Sequence, residues 1–81
     1  MNIQLIQGEF SANDALALIT EMIHIKIKYH ENKIAANSHE EDIKYRESKI
    51  KKLQKDLFEL RNKIGVKSNQ VKLDAIIKIE Q

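Results

Sequence analysis

The sequence contains no cysteine and no proline, and glycine occurs only at Gly8 and Gly65. Without cysteine, the chain can form neither disulfides nor thiolate metal sites. Without proline, and with so little glycine, long uninterrupted helices or strands are favoured over a loop-rich fold. A single core in a chain of 81 residues usually supplies only about 3–5 kcal/mol of stability. Small domains often gain further stability from a partner chain, so we expect one domain, residues 1–81, that forms a homo-oligomer.

The chain also has no large excess of charge of one sign, because 14 basic and 12 acidic residues leave a net charge of +2. A nucleic-acid binder usually concentrates positive charge on one face or tail, and no polybasic block occurs here. The most apolar stretch, residues 16–27, is interrupted by four polar side chains, whereas a membrane span needs about 20 predominantly apolar residues. No secretory signal pattern is visible. We therefore expect a cytoplasmic protein with no membrane partner, for which nucleic-acid binding is disfavoured.

Two long helices are predicted in the middle of the chain. Helix 1 is expected over residues 12–36, since Ser11 can cap the amide of Asp14 at its start. A turn at residues 37–38, with Ser38 as the cap, leads into helix 2 over residues 39–64. Gly65 suits the left-handed position that often follows a helix end.

Short strands are predicted at the two ends of the chain. Residues 2–7 are predicted to form a strand, because Ile3 and Leu5 alternate with Asn2 and Gln4, and Gly8 is expected to loosen the chain after it. Residues 71–79 alternate between apolar and polar side chains apart from Ile76, which predicts a second strand, although a short helix capped by Ser68 or Asn69 is the alternative. The predicted fold class is therefore mainly α, a long antiparallel helical hairpin with short terminal strands in the order β-α-α-β. Because such a hairpin returns to its starting point, the two strands can pair.

One apolar stripe of helix 1 and the heptad seam of helix 2 are predicted to pack together within the chain. Their spacing of three and four residues places them on facing sides of the two helices. His30 lies in this stripe and is expected to be packed and hydrogen-bonded, and the helix 2 seam has a polar gap near Arg46. The predicted hairpin seam comprises Leu16, Ile19, Ile23, Ile27, Ile43, Ile50, Leu53, Leu57 and Leu60.

Helix 1 carries a second apolar stripe, which a single partner helix cannot cover. It contains Leu18, Met22, Ile25 and Tyr29. An exposed apolar patch of a few hundred Å² usually marks an interaction site. We predict that these four residues form the interface of a twofold dimer, which gives a four-helix bundle with helix 1 at the centre. The alternative is that the tail folds back over this face.

No recognisable catalytic or nucleotide-binding motif occurs in the sequence. Glu21 and His24 have the spacing of one ligand pair of carboxylate-bridged metal bundles, but helix 2 offers Gln54 and Lys51 at the same height. We therefore predict no catalytic residues, no cofactor and no metal. The favoured function is a non-enzymatic homodimer that binds or regulates another protein. The alternatives are a small dimeric nucleic-acid-binding regulator and a metal-carrying helical bundle.

Overall fold

The computed structural model of the chain describes residues 1–36, 39–64 and 70–81. The described part is mainly helical and confirms the predicted β-α-α-β order, including a strand at the carboxyl end. The predicted turn and caps at residues 37–38 and 65–69 lie outside the described residues. The elements are β1 (Asn2–Ser11), α1 (Ala12–Ala36), α2 (Glu40–Ile64) and β2 (Gln70–Lys78).

The two helices begin where their sequences supply partners for the free amides of the first turn. At the start of α1, the backbone amide of Asp14 donates a hydrogen bond to the Ser11 hydroxyl oxygen at 3.1 Å, which confirms the predicted cap. The first turn of α2 contains Glu40 and two further acidic residues, where the helix dipole favours negative charge. Glu40 also approaches Lys44 one turn later, with 3.6 Å between carboxylate and ammonium.

Replacing Ser11 with alanine tests the cap at the start of α1. We expect Ser11→Ala to lower the free energy of unfolding by about 1 kcal/mol, because the Asp14 amide loses its acceptor. Urea denaturation followed by circular dichroism measures the change. Ser48→Ala is the matched control, since Ser48 is exposed in the middle of α2 and alanine is a better helix former there. An equal loss in both variants would show that the cap adds nothing.

The two strands form an antiparallel sheet, and β1 runs four residues beyond the predicted range 2–7. Gly8 lies inside the strand with φ +137° and pairs with Leu73. Glycine adopts this backbone conformation without the steric cost that other residues incur, so the strand continues through it. Backbone hydrogen bonds between Met1 and Ile79, at 2.7 and 3.1 Å, extend the pairing to the amino terminus.

A bulge at Leu5 keeps Ile3, Ile6 and Phe10 on one face of the sheet. Gln4 pairs with Ile76 and Ile6 pairs with Ala75, so β1 has one residue more than β2 between these pairs. An extra residue reverses the alternation of side chains along the strand. Ile3 on one side of the bulge therefore shares a face with Ile6 and Phe10 on the other. The Gln4 amide nitrogen donates hydrogen bonds beside the bulge, to Asp74 Oδ1 at 2.6 Å and to the Ile6 carbonyl at 2.8 Å.

The helices pack against each other as a hairpin, and the sheet lies mainly against α1. The molecule measures 45 × 33 × 13 Å, so its thinnest dimension is close to one helix diameter. Among the described residues, Ala15 and Leu57 are the buried apolar side chains. The single chain is thus one layer thick over much of its extent and has a small core.

Candidate functional site

An exposed apolar stripe runs along α1. Leu18, Met22, Ile25 and Tyr29 are 39%, 37%, 69% and 52% exposed. At 100° per residue, Ile25 points almost directly away from the face of α1 that packs on α2. The single chain therefore leaves the predicted dimer residues accessible, and neither α2 nor the sheet buries them.

The predicted hairpin seam lies on the more protected sides of the helices. Leu57 is buried, and the other eight seam residues are partly buried. In two helices with no third layer, each seam residue keeps one side open to solvent, which accounts for this partial burial. These seam residues are less exposed than the residues of the stripe on α1.

The chain exposes more surface than a folded monomer of its mass. Its accessible surface is 6727 Å², about a third more than the ~5,000 Å² expected for a monomer of 9.4 kDa. Its radius of gyration is 15.2 Å, against about 12 Å for a compact domain of this length. The excess surface is comparable to what one partner contributes to a stable homodimer interface.

Further apolar surface occurs outside the predicted stripe. The end of the sheet that lies away from the helices exposes Ile3, Ile77 and Ile79, and α2 exposes Tyr45 and Phe58. None of these residues was predicted from the sequence to take part in an interaction. Ile3 pairs directly with Ile77, so the strand residues lie on one face of the sheet. The two aromatic residues lie outside the heptad seam of α2, and this position is the sequence signal for their exposure.

A polar group interrupts the hairpin seam at His30. This side chain is 6% exposed, and an Arg46 guanidinium nitrogen donates to its Nδ1 at 3.1 Å. Arg46 also pairs with Asp42, with 3.2 Å from Nε to the carboxylate oxygen, and lies 5.7 Å from the Tyr29 ring centroid. Because a guanidinium only donates hydrogen bonds, Nδ1 accepts and the proton of the neutral ring resides on Nε2. Nε2 is buried and has no hydrogen-bond partner in the described part of the chain.

The surroundings of His30 disfavour its charged form. Burial lowers the pKa of His30 below the ordinary value of 6.5, and the positive charges of Arg46, Lys26 and Lys49 lower it further. In the unfolded chain the same ring returns to the ordinary value. On acidification the unfolded state therefore takes up the proton first, and the folded state loses stability as the pH falls below that value.

This linkage predicts a pH-dependent stability with a matched pair of variants. We expect the free energy of unfolding to fall between about pH 7.5 and pH 5.5, and His30→Gln to flatten part of this dependence. Urea denaturation at a series of pH values measures it. His24→Gln is the control for the loss of one histidine, because His24 is exposed on the same helix. A wild-type slope in His30→Gln would contradict the assignment.

The remaining chemical candidates are dispersed. Glu21 and His24 are both exposed on α1. Within residues 1–36, 39–64 and 70–81, no group of three His, Cys, Asp or Glu side chains is placed to hold a metal ion. In the same ranges, neither helix combines the length and apolarity that crossing a membrane requires.

Comparison with known proteins identifies no relative of this chain. No family model, curated protein or solved structure matches the chain. The candidate site is therefore defined by the chain's own surface, namely the exposed stripe on α1.

Proposed function

We propose that the chain is a non-enzymatic protein that forms a homodimer through α1 and acts as an interaction or regulatory module for another protein. The observation that carries the proposal is the apolar stripe of Leu18, Met22, Ile25 and Tyr29, exposed in a chain that has too much surface for its mass. Burying about 25 cal/mol per Å² of apolar surface makes such a stripe a strong driving force for association.

A twofold contact between two copies of α1 is the simplest arrangement that covers the stripe. In an isologous contact each copy contributes the same residues. If the two α1 helices run antiparallel about a point between residues 23 and 24, Leu18 lies opposite Tyr29 and Met22 lies opposite Ile25. The α2 helices then flank the central pair and complete a four-helix bundle.

The outer surfaces of this dimer are available for a different protein. Tyr45 and Phe58 are exposed on α2, and aromatic side chains are enriched in protein interfaces. Such residues can anchor a partner helix or loop once α1 is occupied by self-association. The cytoplasmic location expected for the module rests on the sequence features described above.

Solution mass over a dilution series tests the homodimer. Sedimentation equilibrium should give twice the chain mass at high concentration and a reversible fall toward the chain mass on dilution. A well-folded monomer at every concentration would overturn the proposal.

Cysteine crosslinking locates the interface, because the chain has no cysteine of its own. Met22→Cys lies near the predicted dyad and should form an intermolecular disulfide on mild oxidation. Ser48→Cys is the control, since Ser48 lies on the side of α2 that faces away from the seam. Crosslinking of Ser48→Cys but not of Met22→Cys would mean that the copies meet through α2.

A further inference from the structure

The groove between the helices contains a small cavity beside His30 whose lining is mostly basic. Its volume is about 180 Å³, and its lining residues are Lys26, His30, Lys49, Lys52, Leu53 and Asp56. One water molecule occupies about 30 Å³ of liquid, so the cavity has room for a compact polyatomic ion. Two of the lining residues, Lys26 and Lys49, lie about one helical turn from His30 and Arg46, respectively.

The charges of the lining do not cancel. Three lysines and one aspartate line the cavity, and the Asp56 carboxylate lies 3.5 Å from Lys52 Nζ. Arg46 adds no free positive charge, because it pairs with Asp42. The cavity therefore has an excess of two positive charges, contributed by Lys26 and Lys49.

His30 supplies a directional donor at the same place. Its Nδ1 accepts from Arg46, so Nε2 carries the proton, and this buried N–H has no acceptor in the described part of the chain. Nδ1 and Nε2 lie on different sides of the imidazole ring. His30 is one of the residues that line the cavity, and because Arg46 already occupies Nδ1, Nε2 is the ring nitrogen that remains to donate to a bound ion. A buried donor without an acceptor is rare in proteins and costs free energy, which a bound acceptor would recover.

We propose that this cavity binds a phosphate-class dianion, with the His30 Nε2–H as a fixed donor and the Lys26 and Lys49 ammonium groups as its charge partners. The dianion matches the excess of two positive charges, and its several oxygens can accept from all three donors at once. The ligand is either inorganic phosphate or the phosphate group of a small monoester. The site lies between the two helices of one chain, so it does not depend on the proposed homodimer.

The low pKa of His30 is consistent with this assignment. Burial lowers that pKa, and so do the positive charges of Arg46, Lys26 and Lys49. A bound dianion would offset those charges and raise the pKa of His30 toward its ordinary value. The shift gives a second readout of binding that is specific to this residue.

Nuclear magnetic resonance of the histidine rings tests the site. The protein is titrated with inorganic phosphate, and separately with methyl phosphate, at constant ionic strength maintained with sodium chloride. The nitrogen shifts of His30 should show the Nε2–H form and should change saturably with one Kd. Tighter binding of methyl phosphate than of inorganic phosphate would identify the ligand as a phosphorylated small molecule. Tighter or equal binding of inorganic phosphate would identify it as free phosphate. Either order supports the site.

A pair of lysine variants locates the binding. Lys26→Gln should raise the Kd for phosphate about tenfold, because one charge-assisted contact is lost. Lys28→Gln, exposed on the same helix and outside the cavity lining, should leave the Kd unchanged. Repeating the titration with Ile25→Asp, which is expected to be monomeric, separates this result from the state of the dimer.

Three results would overturn the proposal. The first is a shift that sodium chloride alone reproduces, which would indicate charge screening. The second is an equal Kd in Lys26→Gln and Lys28→Gln, which would place the ion elsewhere. The third is a His30 ring that carries its proton on Nδ1, since Nε2 would then have no hydrogen to donate.

Discussion

Ile25→Asp should convert the proposed homodimer into a folded monomer. Ile25 is 69% exposed in the single chain, so an aspartate there leaves the fold of one chain intact. In the proposed dimer the same carboxylate is buried without a partner, which costs at least about 3 kcal/mol and raises the dimer Kd at least about a hundredfold. Sedimentation equilibrium of wild type and variant at equal concentrations measures the difference.

Ser48→Asp is the matched control for this experiment. It introduces the same residue in the middle of a helix, at an exposed position of α2 that faces away from the seam. We expect it to keep the wild-type mass. If Ile25→Asp stays dimeric while Ser48→Asp dissociates, the two copies associate through α2 and the role assigned to the α1 stripe is wrong.

Leu57→Ala should have the largest effect on the stability of the hairpin. Leu57 is 7% exposed, and removing a buried leucine side chain costs about 2–5 kcal/mol. We expect about 2–3 kcal/mol, since the thin hairpin can relax around the site. A domain of this size has only about 3–5 kcal/mol in total, so the urea midpoint should fall steeply. Denaturation followed by helix content measures it.

The next residue supplies the control. Phe58→Ala removes a larger side chain from the same turn of α2, but Phe58 is 66% exposed. Substitutions at exposed positions usually change stability by less than about 0.5 kcal/mol. A greater loss in Phe58→Ala than in Leu57→Ala would mean that α2 presents a different face to its neighbours.

The helices were predictable because their determinants are local or periodic. The cap at Ser11 requires only the residues of one turn, and the spacing of apolar residues around Leu57 identifies the inner face of α2. The carboxyl strand was predicted from the alternation between Val71 and Ile79. These signals are contained in short windows of sequence, so they do not depend on the rest of the fold.

The full length of β1 was not predictable from its own residues. Gly8 suggested a strand end, but pairing with Leu73 holds the backbone extended through it. The bulge at Leu5 likewise depends on how β1 aligns with a strand about 70 residues later in the sequence. The length of β1 and the position of its bulge depend on pairing with a distant strand, so they cannot be predicted from the residues of β1 alone.

The contact between His30 and Arg46 could have been predicted from the sequence. His30 is a polar exception in the inner stripe of α1, and Arg46 lies in the polar gap of the α2 seam. With a turn at residues 37–38, the two positions are nearly equally distant from it and so lie at the same height. Each exception is one polar residue in an apolar pattern, so neither pattern alone predicts their contact. That Nε2 has no hydrogen-bond partner among the described residues depends on the three-dimensional arrangement.

The bulge also makes the chain unequally tolerant of changes in length. Loss of Leu5 would remove the extra residue and leave a regular ladder, with Gln4 still opposite Ile76 and Ile6 still opposite Ala75. Loss of Gln7 instead would turn the strand over between Gly8 and Ile6, so that Ile6 and Phe10 would point to opposite sides. A deletion at Leu5 should therefore be tolerated, whereas a deletion within the five residues from Ile6 to Phe10 should disrupt the apolar face of the sheet.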